Sequence, residues 1–496
     1  MNKQISRLAV ASIVLIAALI VGTTYWQTWA GAGLAARQDN AIQRVAQFTI
    51  KRGPIRTADG VVLAANRAKS IQGKTFYFRH YPVPYLAPHL VGYSTQSRSQ
   101  AGLERSENAY LTGSNANLDT VFRTTLDRLK GVTIRGNGLA LTIRSKAQKV
   151  ADDGLAGKCG AAVALEPATG KVLVMASGPP YNPNQVERDF AHIGLTKAAC
   201  SGAAPLLNRA TEGLFTPGST FKIVTAAAAL DTGAFTPTSR FNDPGYCEEY
   251  GKRVSNAGNP DQTGPEAFGN VTLAQGLQHS INSVFCNVGK KIGAGLILEY
   301  AKRFGFYSIP PLETPRNERA ASGLYNRSKL YDPKKPQFQV DPGRLAFGQE
   351  RLLTTPLQMA MVTATVANGG TVMRPYVVDR VISPSGHTVT RTRPHKLGEA
   401  IKPETAAALN AMMQAVMTGG TGTSDQIPGV AVAGKTGTAE TGIAHTNTTW
   451  FVAFAPADAP KVAVAVVLEQ QHGYGATTAG PIAKAILQAL LPQASK

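Results

Sequence analysis

Two β-hairpin patterns stand at opposite ends of one long segment, and they constrain the fold more than any other feature of this chain. Ala161 to Glu166 and Lys171 to Ala176 are apolar, β-branched runs around Pro167-Ala168-Thr169-Gly170. Far downstream, Thr449 to Ala455 and Lys461 to Glu469 repeat the pattern around Pro456-Ala457-Asp458-Ala459-Pro460. Such runs, bounded by turn residues, predict hairpin strands. Ile482 to Leu491 reads as a short apolar helix that closes the chain. Strands from both ends of a segment, paired in one sheet with helical stretches between, predict a single α+β domain over residues 155–492.

A chain of 496 residues needs more than that domain. Met1 to Arg7 carries Lys3 and Arg7, and Leu8 to Val21 is almost wholly apolar, the run continuing to Trp26. As a helix, Leu8 to Trp26 spans roughly 28 Å, about the thickness of bilayer hydrocarbon. Tyr25, Trp26 and Trp29 would then lie at the far headgroup level. A signal peptide cleaved near Ala30-Gly31-Ala32 is the competing reading. The length of the run favours an uncleaved single-pass anchor over residues 8–29, with residues 1–7 in the cytoplasm and the rest extracellular.

Between the anchor and residue 150 the composition changes. Strand-like pieces (Val45 to Lys51, Thr75 to His80) alternate with turns and with Tyr81-Pro82-Val83-Pro84-Tyr85. Asp59-Gly60 marks a tight hairpin. No nucleophile–base pair stands out, so residues 38–150 read as a spacer or docking domain. The net charge of +20 suggests an anionic partner. Its cations are scattered and lack a nucleic-acid motif, so DNA and RNA are set aside. Cys159, Cys200, Cys247 and Cys286 form no C-x-x-C, which argues against zinc. Three disulfide connectivities are open to an exported chain, and free buried thiols are an equal alternative.

The chemistry gathers in three places. Thr216-Pro217-Gly218-Ser219-Thr220-Phe221-Lys222 leads into an alanine-rich run that reads as a buried helix. Ser219 and Lys222, three apart, lie on one helix face and can touch. A serine needs a base to take its proton, and a lysine is that base only when uncharged. Burial and a helix N-terminus both push a lysine pKa down. Next, Ser280-Ile281-Asn282 interrupts a helical stretch and suits a turn that projects a hydroxyl and an amide into a cleft. Last, Lys435-Thr436-Gly437-Thr438 follows Val430-Ala431-Val432-Ala433, a predicted strand ending in small residues where a substrate backbone could approach. Gly429 to Thr436 also fits the phosphate-loop pattern G-x-x-x-x-G-K-[ST], but the strand before it and the helix after it are missing, so ATP binding is set aside.

Ser219-x-x-Lys222, Ser280-x-Asn282 and Lys435-Thr436-Gly437, in that order, resemble the penicilloyl-serine transferase superfamily, and most closely a class B penicillin-binding protein of the short actinobacterial type. Arg52-Gly53-Pro54-Ile55-Arg56 with Asp59-Gly60, and Gly102-Leu103-Glu104, are similar to that family's pedestal signatures. Asn208-Arg209-Ala210, Gly348-Gln349-Glu350 and Thr354-Thr355-Pro356-Leu357-Gln358 are similar to its transpeptidase segments. Thr57-Ala58 and Glu350 depart from the pattern, Glu350 standing where glycine is common.

The resemblance implies a membrane helix, a mostly β pedestal and a transpeptidase domain whose antiparallel sheet is flanked by helices. It implies a D,D-transpeptidase that cross-links peptidoglycan stem peptides and binds β-lactams covalently, without metal or cofactor. Ser219 would be the nucleophile, Lys222 its base, Ser280 a proton relay and Asn282 a substrate and lysine ligand. Lys435 and Thr436 would take the terminal carboxylate, Gly437 would leave room for the substrate, and the N–H groups of Ser219 and Thr438 would form an oxyanion hole. A membrane glycosyltransferase of the shape, elongation, division and sporulation family is the implied protein partner. The alternatives are a β-lactamase or D,D-carboxypeptidase, which pass the acyl group to water, and a non-catalytic scaffold for a wall glycosyltransferase.

Overall fold

The computed structural model describes residues 2–25, 48–96, 99–115, 118–256, 266–440 and 446–492. The chain begins with helix α1 (Asn2–Tyr25), whose apolar side chains are all exposed. It is the one described helix long and apolar enough to cross a membrane. Trp26, Trp29 and Ala30 to Ala32 lie outside the described residues. So does the first part of the strand expected over Val45 to Lys51; its described part is a turn, and Lys51 makes only a single parallel bridge to Arg135.

Strands β1 (Ile55–Arg56) and β2 (Val62–Ile71) form the hairpin that Asp59-Gly60 predicts, with Gly60 at φ 91°. Strand β3 (Lys74–His80) pairs with β2 in antiparallel register. After helix α2 (Leu118–Leu129), strand β4 (Gly138–Leu141) runs parallel to β1. Beneath them lies a buried ionic triad. Glu104 accepts hydrogen bonds from Arg52 Nη2 at 2.8 Å and from Arg79 Nε, and all three side chains are sealed from solvent.

Helix α3 (Ser145–Gly154) leads into the hairpin β5 (Gly160–Leu165) and β6 (Val172–Gly178). Then come α4 (Lys222–Asp231), α5 (Leu273–Gln278), α6 (Asn282–Arg303) and α7 (Pro356–Ala367). Strands β7 (Val378–Ile382) and β8 (Thr388–Arg391) cross back to the first sheet, which takes the order β8-β7-β4-β1-β2-β3. Its strands are thus drawn from both sides of residue 150.

Helix α8 (Pro403–Gly419) precedes strands β9 (Ala433–Glu440), β10 (Asn447–Ala455) and β11 (Val462–Gln471), and helix α9 (Gly475–Leu490) closes the chain. The two terminal hairpins join as expected, in one antiparallel sheet ordered β9-β10-β11-β5-β6. Residues on these strands alternate between two cores. Val163, Trp450, Val452 and Ala465 pack with α4 and α7, whereas Ala162, Phe451, Val464 and Val466 pack with α3 and α9. Both faces are therefore buried. The last helix starts earlier than Ile482 because the chain remains helical through Pro481.

The cysteines pair as Cys159–Cys200 and Cys247–Cys286. Glu350, at the position where a glycine resembles the family better, has φ 60° and so occupies the left-handed region that glycine enters freely.

Candidate active site

Ser219 does not open the helix itself. It sits in a 3-10 turn, Gly218–Phe221, immediately before α4, whose residues Ile223 to Ala229 are buried. Gly218 has φ 52°, and a Cβ there would come within 3.0 Å of the Thr438 carbonyl oxygen, so the turn is pressed against β9. Ser219 is half-buried. Among the described residues its hydroxyl makes no hydrogen bond, to Lys222 or to any other group.

The Lys222 amine points instead at the turn between α5 and α6. Its Nζ donates to the Ser280 carbonyl at 2.6 Å and to Asn282 Oδ1 at 2.8 Å, with Ser280 Oγ at 3.4 Å. Helix α5 opens with a capping box of Thr272 and Gln275. It stops before Ser280, whose φ of 60° is unusual for a residue with a side chain. The amide of Asn282 is fixed from behind, its Nδ2 donating to the Ser255 carbonyl at 3.0 Å. One helical turn further on, Cys286 ties α6 to Cys247 in the adjoining hairpin, holding this wall together.

The third group arrives on β9. The expected strand at Val430 to Ala433 is displaced: pairing starts at Ala433 and runs through Glu440, so Lys435-Thr436-Gly437 lies within the strand. Partner residues Phe451 and Val452 on β10, rather than local alternation, specify this register. No helix opens at Lys435, as a phosphate loop would require. Strand β9 is the sheet's edge, and beside Ser219 only Gly437 fits, because a Cβ would meet Thr220 Cγ2 at 2.9 Å.

Lys435 Nζ donates to Ser280 Oγ at 2.8 Å and to the Thr436 carbonyl at 3.0 Å. The Ser280 hydroxyl thus lies between two fully buried amines. Among the described residues neither amine has a carboxylate partner. Burial, and then the neighbouring Lys435, push Lys222 well below the ordinary amine value. Burial brings Lys435 down to about 7.

Sequence reasoning missed Thr421. Its Oγ1 lies 2.6 Å from Thr436 Oγ1, while Gly420 packs so closely on the Gln278 carbonyl that a Cβ would sit 2.2 Å from it. The signal was the small-residue run Gly419-Gly420-Thr421-Gly422 at the end of α8. Thr438 Oγ1 accepts from the Gly475 N–H at 3.4 Å.

Residues 160–488 match the family model described as the penicillin binding protein transpeptidase domain. The chain belongs to that family. Residues 52–139 match the penicillin binding protein A dimerisation domain. Among curated relatives, the chain is 35% identical over the full length of both proteins to the peptidoglycan D,D-transpeptidase PbpA of Mycolicibacterium smegmatis. It is 34% identical over 99% of both to the protein of that name from Mycobacterium tuberculosis. Among solved structures, it is similar to penicillin-binding protein A from M. tuberculosis in a ceftriaxone acyl-enzyme complex: TM-score 0.79, 31% identity, 90% of this chain and 100% of that one. Together with α1, the family makes this a membrane-anchored penicillin-binding protein.

Proposed function

We propose that this penicillin-binding protein is a peptidoglycan D,D-transpeptidase working through an acyl-enzyme on Ser219. The observation that carries this reading is the convergence of two buried amines, from α4 and β9, on the one Ser280 hydroxyl. A neutral Lys222 has two N–H bonds, and two oxygens that can only accept, from Ser280 and Asn282, lie closest to it. Its lone pair is then left for the Ser219 proton. Ser219 Oγ attacks the carbonyl of the penultimate D-Ala, and the N–H groups of Ser219 and Thr438 receive the oxyanion. The C–N bond to the terminal D-Ala breaks, and the departing amine takes its proton through Ser280. An acceptor amine from a second stem peptide then displaces Ser219, forming the cross-link.

Asn282 orients Lys222 and the substrate amide. Lys435 and Thr436 hold the terminal carboxylate, and Gly437 leaves room for the substrate chain against the edge strand. A β-lactam presents the same carboxylate and acyl carbon, and stalls at the ester. The M. tuberculosis relative was solved as such an acyl-enzyme, which supports this step.

An extracellular catalytic domain is supported by Lys3 and Arg7 ahead of α1 and by the two disulfides, which belong to an oxidising compartment. Residues 1–7, 8–29, 38–150 and 155–492 are the proposed tail, anchor, pedestal and catalytic parts, and a membrane glycosyltransferase is the proposed partner.

The test is labelling of the purified full chain with fluorescent penicillin, followed by mass spectrometry. Stable label on Ser219, lost in Ser219→Ala, supports the reading. Fast drug turnover with no retained label makes the protein a β-lactamase and overturns it.

A further inference from the structure

Helix α2 is built inside out. The side it turns to the protein is polar: Thr120 and Thr124 are buried, and Asn137 Nδ2 donates to Thr120 Oγ1 at 3.1 Å. Arg123 reaches inward to the Arg135 carbonyl and Asn137 Oδ1. The side it turns to solvent carries Phe122, Leu126 and Leu129, at the spacing of one helix face, with Phe122 75% and Leu129 81% exposed. Exposed Val121 and Val132 extend the patch. An apolar outer face over a polar inner one is the reverse of what a solvent-facing helix requires.

The same contacts lead from α2 into a cavity of about 320 Å³. Arg135, whose carbonyl α2 holds, lines it together with Lys51, Arg52 and Arg56, and its lining has no acidic residue. Arg52 shares the Glu104 carboxylate with Arg79. Among the described residues, Lys51, Arg56 and Arg135 pair with no carboxylate. An exposed apolar helix face, joined through Arg123 to a pocket of uncompensated cations, has the composition of a membrane-surface contact.

We propose that the outer face of α2 lies on the membrane that α1 anchors, with the phosphate of an anionic lipid headgroup in the Lys51–Arg56–Arg135 pocket. The chain between Tyr25 and Phe48 comprises residues 26–47. Fully extended, it keeps Phe48 within about 80 Å of the anchor's end. The patch therefore meets the bilayer at a high effective concentration, and modest affinity suffices. A second copy fits less well. A two-fold contact through this face brings a second set of unpaired Lys51, Arg56 and Arg135 into the same assembly, with no acidic partner for either set among the described residues.

The test uses the full chain, in which no native cysteine is free. Phe122→Cys carries a polarity-sensitive fluorophore in nanodiscs of phosphatidylcholine, with or without phosphatidylglycerol, each doped with doxyl-lipid quenchers. Tyr250→Cys, at a 77% exposed site, is the solvent control. The Phe122 label is expected to shift blue and to be quenched most in the anionic discs. Replacing Lys51, Arg56 and Arg135 together by glutamate weakens that partition on the order of a hundredfold. Retained penicillin labelling shows that the triple variant is folded. No quenching in either disc overturns the proposal, as does quenching indifferent to phosphatidylglycerol and to the triple variant. Protection that appears only with two copies per disc assigns the face to a dimer and overturns it as well.

Discussion

Two groups of buried cations, one in each half of the molecule, have met opposite fates. In the pedestal, Arg52 and Arg79 share Glu104. Burial alone would raise the Glu104 pKa, but Arg79 and Arg52 outweigh it and hold the carboxylate below its usual range. That triad stays charged and serves structure. In the cleft, Lys222 and Lys435 are buried as completely, yet carbonyl, amide and hydroxyl oxygens surround them. Those ligands satisfy N–H bonds without compensating charge, so both amines titrate far below 10.5. Burial with a carboxylate keeps a cation charged; burial without one lowers an amine's pKa, as the proposed base Lys222 requires.

The largest test of that contrast is Lys222→Arg. A guanidinium stays protonated at any working pH, so it fills the space without accepting the serine proton. Acylation of Ser219 by fluorescent penicillin is expected to fall about 10²–10⁴-fold, with a folded thermal melt. A variant that acylates within about tenfold of the parent would remove Lys222 as base and end the comparison. The counterpart is Glu104→Gln, which leaves two buried guanidiniums uncompensated. A loss of about 3–5 kcal/mol in denaturant unfolding is expected, with the acylation rate of the folded fraction unchanged. Should activity fall while stability holds, the triad has a role in the cleft that its position does not suggest.

Next in size is the response to pH. If Lys222 is the base and Lys435 the carboxylate ligand, as proposed, acylation is expected to climb with pH as Lys222 loses its proton and to fall as Lys435, with a pKa of about 7, loses its charge. The alkaline limb approaches about tenfold per pH unit. Lys435→Arg should flatten that limb and spare the acid one; an unchanged alkaline limb would show that Lys435 is not its source. Stability moves differently in the two regions. The folded pKa of Lys435 is below its unfolded value, so the unfolded chain binds more protons between about 7 and ~10.4, and stability rises with pH across that window. The folded pKa of Glu104 is also depressed. Its contribution is full above about 4.3 and is lost as pH falls through the folded value.

The same two regions differ in how much of them the sequence discloses. Both terminal hairpins were legible because β-branched runs and Pro/Gly turns are local signals. The register of β9 was not: Lys435-Thr436-Gly437-Thr438 has no alternation, and β10 decides it from across the sheet. Nor could β7 and β8 be assigned to the first sheet, since their partner β4 lies more than two hundred residues upstream. The cysteine pairings are contacts of the same non-local kind. The cleft's residue types were readable from their spacing, but the direction of Lys222 was not. It turns to the Ser280 carbonyl because that residue adopts a left-handed conformation, which no residue name encodes.

The smallest test probes the residue that spacing concealed. Thr421 holds Thr436 Oγ1 at 2.6 Å, and its backbone N–H donates to the Gln278 carbonyl at 3.3 Å, close to the Ser280 turn. It therefore connects β9, the strand proposed to bind the carboxylate, to the wall that carries Ser280. Thr421→Val keeps the shape and removes one hydroxyl. Because Thr421 is exposed, water replaces much of the lost bond, and the net effect is about 1 kcal/mol. That corresponds to roughly a fivefold weaker capture of a carboxylate-bearing β-lactam. The loss should fall on the binding constant and not on the rate of the acylation step, since neither amine loses a partner. A drop confined to that step would place Thr421 with Lys222 and Ser280 instead, as part of the machinery that moves the proton.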